Sequence, residues 1–258
     1  MDVSVHLLSR YSSCRLGKQM QKYFIRKHVF VCISNGYIVL LDLKNDKYIC
    51  LDKEKSRYLA HLLANGPSDR ALKQTFPETP GQNLEKAGRA LVETGLLTTK
   101  AENGKPDPLT RLEPATSPLL DRQNLYRPKI HAGHVLRFFY ACTVASWKLN
   151  RWPLQRAVRS VERRRRLKHE KWSEREFTEA RRLVSIFDLL RPFFPANYLC
   201  LFDSLALVEF LAPYGLFPTW VYGVEAEPFN AHCWIQEGDV LFNDLVDRVR
   251  LFTPIMAA

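Results

Sequence analysis

Alternating apolar and polar positions near the start of the chain predict a small sheet. Antiparallel strands are expected at residues 28–34, 37–43 and 47–51. The first two are separated by Asn35-Gly36, the strongest short hairpin signal. Apolar residues at helical spacing then predict helices over 56–64 and 83–94, the first ended by Asn65-Gly66-Pro67. Three strands followed by helices make an α+β unit, which we assign to residues 1–102.

The composition changes after this unit. Residues 101–128 are rich in Pro, Asp, Asn, Thr and Ser and contain five prolines, which is typical of a linker or of an extended segment that wraps around a domain. We place this linker at residues 103–128. A second domain is then expected at residues 129–258, which makes the whole chain an α+β protein of two domains.

In the second domain, helical patterns come first and strand patterns follow. Helices are predicted at residues 130–149, 173–190 and 201–211, and strands at 219–224 and within 231–244. Ser173 and Glu176 form a capping-box signature at the start of the second helix. The expected arrangement is a group of helices, the last of which packs on an antiparallel sheet.

Three residues of this region have the chemistry of a thiol active site. Cys200 opens the apolar helix, His232 lies in the first strand of the final hairpin, and Asp244 ends the second strand. A thiol nucleophile needs a base to take its proton and a third group to orient that base. Cysteine, histidine and aspartate in this order are typical of a papain-type or transglutaminase-type site.

The hairpin pattern predicts how the histidine meets the aspartate. With Gly238 at the centre of the turn, His232 and Asp244 would be directly opposed, with Cβ atoms about 5 Å apart. Because side chains alternate along a strand, Cys233 is expected on the opposite face and is the poorer nucleophile. The face that His232 shares is expected to carry Trp234, Val240, Phe242 and Asp244.

Cys200 is the better nucleophile because it lies near a helix start, where free N–H groups and the helix dipole favour a thiolate. Asn197 is a candidate N-cap and also a candidate side chain for the oxyanion hole. Each residue alone also has a structural explanation: Cys200 as a core cysteine, His232 as a buried hydrogen-bonded histidine and Asp244 as a strand-end cap. The three together favour catalysis.

Charge is unevenly distributed in this chain of formal net charge +11. Residues 148–182 contain 13 Lys and Arg against five Glu, whereas residues 192–247 contain eight Asp and Glu and no Lys or Arg. Those carboxylates would raise the pKa of the thiol, so the basic segment is expected to pack near the site. The run Arg163–Arg166 has no recognition motif, and a solvated helix face explains it better than nucleic-acid binding.

Other features of the whole sequence indicate where in the cell the protein is expected. Six scattered cysteines, no signal-peptide pattern and no apolar run of membrane-spanning length favour a cytoplasmic protein with reduced thiols and no membrane contact. His131 and His134 lie one helical turn apart without a further ligand in register, so no metal site is expected.

Short motifs between residues 190 and 250 resemble one known family. They are Leu199-Cys200-Leu201, Ser204-Leu205, Tyr222-Gly223-Val224, Pro228-Phe229, Ala231-His232-Cys233-Trp234 and Asn243-Asp244. In this order and spacing they are similar to the transglutaminase-like leader peptidase of lasso peptide biosynthesis, the B protein. The resemblance implies Cys200 as the nucleophile, His232 as the base and acid, and Asp244 as the orienting carboxylate.

The first hundred residues, up to Gly95-Leu96-Leu97, resemble the winged-helix domain that recognises leader peptides. The resemblance implies that a leader adds a strand to an exposed sheet edge, beside the helix at 84–94. The expected contacts are Lys47, Tyr48, Ile49, Cys50 and Leu51 on the strand, with Leu84, Ala87 and Leu91 on the helix. Plain edge-strand surface would explain the same strand pattern.

Such a protein removes the leader of a ribosomally made precursor peptide. A partner, the ATP-dependent macrolactam synthetase (lasso cyclase), then joins the freed amine to an Asp or Glu side chain. No bound cofactor is implied, and ATP dependence could enter through that partner. The alternatives are a transglutaminase or acyltransferase on the same triad, a non-catalytic peptide-binding adaptor, and a winged-helix DNA binder whose affinity would fall steeply with salt.

Overall fold

The computed structural model describes residues 21–63, 69–77, 84–120, 128–166, 171–197 and 199–258. Its strands are β1 (Phe24–Ile25), β2 (Val29–Ser34), β3 (Tyr37–Asp42), β4 (Lys47–Cys50), β5 (Leu97–Thr98), β6 (Ser117–Pro118), β7 (Thr219–Ala226), β8 (Phe229–Glu237), β9 (Val240–Leu241) and β10 (Thr253–Ala257). Its helices are α1 (Lys53–Leu63), α2 (Asp69–Thr75), α3 (Leu84–Glu93), α4 (Ala132–Arg151), α5 (Leu154–Arg165), α6 (Glu174–Leu190), α7 (Cys200–Leu211) and α8 (Val246–Val249). The protein is a mixed helix and strand fold.

The three strands predicted near the start of the chain form the antiparallel sheet β2-β3-β4. Asn35 and Gly36 both have positive φ, 51° and 78°, as a two-residue mirror-image turn requires. The predicted helices at 56–64 and 83–94 correspond to α1 and α3. The stop signal at 65–67 lies outside the described residues, and α2, only seven residues long, was not predicted.

A second sheet has the strand order β10-β7-β8-β9-β6. The predicted strand and hairpin appear as β7, β8 and β9, whereas β10 and β6 were not predicted. Strand β10 contains Pro254, which a strand tolerates at a sheet edge, where a missing N–H costs no ladder bond. Strand β6 pairs in parallel with β9 and comes from the segment predicted as a linker.

That Pro-rich segment wraps along the fold in its described part, residues 103–120. Its Lys105 N–H donates to Ile25 O (2.8 Å), the Thr110 hydroxyl donates to Ile255 O (2.6 Å), and the Leu119 N–H donates to Leu241 O (2.7 Å). Of the two expectations for this segment, the extended wrapping arrangement matches these contacts. Placing domain boundaries at residues 102 and 128 stays a prediction.

The two sheets share one apolar core. Cys32, Val39 and Leu41 from the first sheet belong to the same buried cluster as Tyr222 and Met256 from the second, and β2 packs against β10. The other face of the first sheet packs on α1 and its neighbours in a separate cluster. The first sheet is therefore buried on both faces and is joined to the second by apolar contact.

Two helix starts in the second half are capped by side chains. Ser173 and Glu176 form the predicted capping box, with the Ser173 N–H donating to Glu176 Oε2 at 2.7 Å. His131 and His134 form a second box at the start of α4, in which His134 Nδ1 accepts from the His131 N–H at 3.1 Å. The spacing of this histidine pair is thus explained by helix capping.

The basic segment packs against α7, but not at its start. Glu209 is buried and accepts from Lys148 Nζ (2.7 Å) and Arg164 Nη2 (2.6 Å). Burial alone would raise the pKa of Glu209, but these two cations lower it. At 1.5 Å per residue Glu209 lies about 13 Å along the helix from Cys200. The two cations therefore balance the charge of Glu209 and do not act on the carboxylates near the thiol. In the described part of the chain no helix is long and apolar enough to cross a membrane.

Candidate active site

Cys200 is the first residue of α7, and the loop before it is held by Arg191. The buried Arg191 guanidinium donates to the carbonyls of Phe194 (3.2 Å), Ala196 (3.2 Å) and Asn197 (3.1 Å) and pairs with Asp203. These bonds satisfy the carbonyls of an irregular turn, of which the Phe194 carbonyl also accepts from the Ala196 N–H at 2.8 Å. No pattern in the sequence pointed to this role of Arg191.

The prediction that Asn197 caps α7 was wrong. The N-cap is Leu199, without a side-chain cap bond, and the Asn197 carbonyl is already used by Arg191. The Asn197 side chain lies on the surface before the helix. Its candidate role in an oxyanion hole stays a prediction.

Hydrogen bonds tie the start of α7 to the strand that carries His232. The Ser204 hydroxyl, one turn after Cys200 on the same helix face, lies 3.4 Å from Cys233 O. Asn243 Nδ2 donates to Ser204 Oγ at 3.0 Å, and Asn243 Oδ1 accepts from the Ile235 N–H at 2.8 Å. Ser204 and Asn243 therefore set the distance between the helix and the strand.

The hairpin register differs by one residue from the prediction. Glu237 pairs with Val240 and Gln236 with Leu241, so the turn is the two-residue Gly238-Asp239. Gly238 has φ 56°, and a left-handed glycine in the first position is typical of a tight hairpin turn. Because a one-residue shift exchanges faces, Leu241 joins Trp234 in one apolar cluster while Phe242 joins Cys233 in the other.

His232 and Asp244 nevertheless meet, by a different route. After the Phe242 N–H donates to Ile235 O at 2.9 Å, the chain leaves the ladder and bends. The bend brings Asp244 Oδ2 against His232 Nε2, while Asp244 Oδ1 accepts from the Leu245 N–H at 2.7 Å. The pair was predicted as a cross-strand pair and is in fact a contact between a strand and a bend.

The His232 ring lies in an aromatic pocket on its face of the sheet. It stacks on Trp234 (centroids 6.1 Å) and contacts Phe252 (5.1 Å). Gly223 is the cross-strand partner of His232, and a Cβ there would lie 2.6 Å from the Trp234 ring and 2.9 Å from Phe252 Cβ. Gly223 is therefore required for Trp234 to lie flat against the strand beside the histidine.

The thiol and the imidazole together favour an ion pair. Cys200 is half-buried and makes polar contacts with the Cys233 thiol, the His232 ring and the Cys233 N–H, and these contacts outweigh burial and lower its pKa to about 4. Burial would lower the pKa of His232, but Asp244 and Cys200 raise it to about 9. With Nε2 engaged by Asp244, Nδ1 is the ring nitrogen left to face the thiol.

The Cys233 side chain lies on the sheet face predicted for it, opposite Trp234, yet it is close to Cys200. Its side chain is on the face opposite Trp234, and that is the face covered by α7. Burial and then the neighbouring Cys200 raise its pKa well above the usual value. Cys233 is therefore a neutral thiol beside the Cys200 sulfur, which the sequence analysis did not foresee.

The expected leader-binding strand lies beside this site. β4 ends its sheet in the described part of the chain, and the Tyr48 ring packs on Phe229 with centroids 5.7 Å apart. Burial, and next the Cys233 sulfur, raise the pKa of Tyr48, with Cys200 a smaller contributor. The Tyr48 hydroxyl therefore senses the charge of both sulfurs, which no local sequence pattern predicts.

The other expected leader contacts are spread over both sides of that strand. Ile49 and Leu51 belong to the cluster under α1, and Lys47 and Cys50 are exposed. Leu84, Ala87 and Leu91 lie half-buried on α3, with Leu84 and Leu91 packed against the same cluster as Ile49. These positions leave the peptide-binding role untested.

Comparison with known proteins identifies the class of the second half. Residues 140–257 match the family model of the transglutaminase-like superfamily. Searches of curated proteins and of solved structures return no significant match. The chain carries a transglutaminase-like domain in its C-terminal part, which is consistent with a cysteine peptidase or an acyltransferase. Within the described residues no group of three or more His, Cys, Asp or Glu is placed to hold a metal ion.

Alkylation of Cys200 should follow the lowered pKa. The thiolate forms above about pH 4, so we expect the rate of reaction with iodoacetamide to reach half its plateau near that pH, measured by peptide mass mapping. The thiols of Cys32, Cys50, Cys142 and Cys233 have raised pKa values and serve as internal controls. Turnover should fall again above about pH 9, where His232 loses its proton. A midpoint for Cys200 near the ordinary thiol value of about 8.5 would contradict the ion pair.

Gly223→Ala should disturb the histidine pocket. Its Cβ would force the Trp234 ring away from the strand, at a stability cost of about 1–3 kcal/mol, and would release the wall that orients His232. We expect slower Cys200 alkylation at pH 6 together with a lower urea midpoint. Gly133→Ala is the matched control, because its Cβ meets only the far end of Arg137 at 3.8 Å. Equal behaviour of the two variants would show that the close approach at Gly223 does not matter.

Proposed function

We propose that the protein is a cysteine peptidase that removes the leader of a ribosomally made precursor peptide during lasso peptide maturation. The observation that carries this proposal is the Cys200–His232–Asp244 contact at the start of α7, with a lowered pKa at the thiol and a raised pKa at the imidazole. This is the charge state in which a thiol attacks a carbonyl carbon without a separate deprotonation step.

The residues divide the reaction in two steps. The Cys200 thiolate attacks the scissile carbonyl, and the backbone N–H of Cys200 at the helix start is the candidate donor to the resulting oxyanion. His232 gives its Nδ1 proton to the leaving amine, which yields the acyl-enzyme and a free peptide fragment. His232 then takes a proton from water, hydroxide adds to the acyl carbon, and the thiolate leaves. Asp244 holds the imidazole in position throughout.

The N-terminal sheet supports a role in capturing the leader. The Leu51 N–H donates to Ile38 O at 2.9 Å, and antiparallel pairing alternates between inward and outward backbone groups. By this alternation Tyr48 and Cys50 direct their N–H and C=O groups to the open edge of β4. A peptide strand added there would lie near β8, the strand that carries His232, because Tyr48 packs against Phe229 at the start of β8. A winged-helix fold for this unit belongs to the same proposal.

The proposed partners follow from this activity. The precursor peptide is the substrate, and an ATP-dependent macrolactam synthetase consumes the freed amine. No cofactor is needed at the triad, because its groups supply nucleophile, base and acid. An acyltransferase would use the same thiol with an amine in place of water. A non-catalytic adaptor is the less favoured alternative, because binding alone does not require a paired thiolate and imidazolium.

Variants of the triad test the peptidase. The substrate to test is a short precursor peptide identified among the neighbouring genes, and the readout is cleavage by mass spectrometry with circular dichroism as the folding control. Cys200→Ala should abolish leader release, and His232→Ala should nearly do so. Asp244→Asn should retain partial activity, because orienting carboxylates contribute less than nucleophile or base. A folded Cys200→Ala protein that cleaves at the parent rate would end the proposal, and an amine-linked product would favour the acyltransferase.

Cys50→Pro tests capture of the leader at the sheet edge. Proline removes the outward N–H of residue 50, while the ladder bonds to β3 are made by the residues on either side. We expect a higher KM for the full precursor and little change for a short substrate without leader. Cys50→Thr keeps the N–H and is the matched control. Equal losses on both substrates would argue against leader binding at β4, without bearing on the triad.

A further inference from the structure

The buried thiol beside the nucleophile is not used by the proposed reaction. Cys233 is only 3% exposed, and its side chain contacts Cys200, Trp220 and Ser204. The contact with Cys200 is supported independently by the backbone, because Ser204 Oγ lies 3.4 Å from Cys233 O one helical turn after the nucleophile. Two sulfurs are thus held together by a fixed junction of helix and strand.

We propose that Cys200 and Cys233 form a reversible disulfide when the protein meets hydrogen peroxide, with Cys233 as the resolving thiol. The modification goes beyond the proposed peptidase activity. A thiolate that is partly exposed is the form that peroxide attacks, and a neighbouring thiol converts the product to a disulfide before further oxidation. Cys200 has the first property and Cys233 supplies the second.

The chemistry balances in two steps. The Cys200 thiolate attacks one peroxide oxygen, the O–O bond breaks, and the sulfenic acid and hydroxide form, so that sulfur is oxidised and peroxide reduced by two electrons. The Cys233 sulfur then attacks the Cys200 sulfur and the S–O bond breaks. Hydroxide leaves and takes the Cys233 proton as water. The hydroxide released in the first step takes the proton of the His232 imidazolium. In sum, the Cys200–His232 ion pair, the Cys233 thiol and one peroxide give one disulfide, a neutral imidazole and two waters.

The other described cysteines are poorer partners. Cys32 and Cys142 lie in the apolar core with pKa values raised to about 12 by burial. Cys50 is exposed on β4, and burial with the nearby Glu227 raises its pKa. Among the described cysteines, Cys233 is the one that lowers the pKa of Cys200 through a direct side-chain contact. The expected modification is therefore specific to one pair.

The test is peptide mapping of the full chain after peroxide treatment and blocking of free thiols. No Lys or Arg lies between residues 192 and 247, and Arg191 is followed by Pro192, so trypsin leaves both cysteines in one peptide. A glutamate-specific protease cuts after Glu209 and Glu225 and separates them. We expect a cross-linked pair of peptides that dithiothreitol splits. Because the readout is a mass, the result does not depend on whether the peptidase proposal is correct.

The Cys233→Ala variant should give no cross-link. Without the second thiol, Cys200 should be oxidised further to sulfinic acid, which dithiothreitol does not reverse. Cys142→Ala, the removal of another buried thiol, should keep the cross-link. If Cys233→Ala does not fold, the unsubstituted protein alone decides, since its Cys200 becomes either a disulfide or a sulfinic acid. Sulfinic acid as the main product in the unsubstituted chain, or a cross-link from Cys200 to a different cysteine, would overturn the proposal.

Discussion

The contact between the start of α7 and strand β8 is the constraint on which the site depends. Ser204 and Asn243 join helix to strand by hydrogen bonds, and an unpaired buried hydroxyl or amide would cost about 1–3 kcal/mol. Their pairing therefore penalises any shift of the helix along the strand. Because Cys200 and His232 lie on opposite sides of this junction, the same bonds hold the Cys200 thiol close to the His232 imidazole.

Local signals in the sequence were sufficient for much of the fold. Asn35-Gly36 specifies a turn by backbone conformation, and Ser173 with Glu176 specifies a helix start by two reciprocal hydrogen bonds. The order of Cys200, His232 and Asp244 indicated residues that the structure brings together. The turn and the helix start are each determined by a few adjacent residues. The site was recognised from the characteristic order of its three chemical groups.

Long-range geometry was beyond those signals. The triplet Glu237-Gly238-Asp239 fits two turns, one centred on Gly238 and one formed by Gly238 and Asp239. Only the pairing of β8 with β9 decides between them. Arg191 donates to an irregular loop, and Tyr48 packs on Phe229 because one sheet is packed on another. Neither contact leaves a periodic pattern. Strand alternation likewise predicted which face of β8 carries the Cys233 side chain. It did not predict that α7 covers that face.

The core shared by the two sheets has a consequence for how such a chain could be divided. Val39 and Leu41 on one side and Tyr222 and Met256 on the other bury each other's surface. A chain cut in its connecting segment would leave two pieces with complementary apolar faces, and burial of those faces would favour their reassociation. The contact between the two sheets thus has the chemistry of an interface between two proteins, and joining them in one chain mainly raises their local concentration.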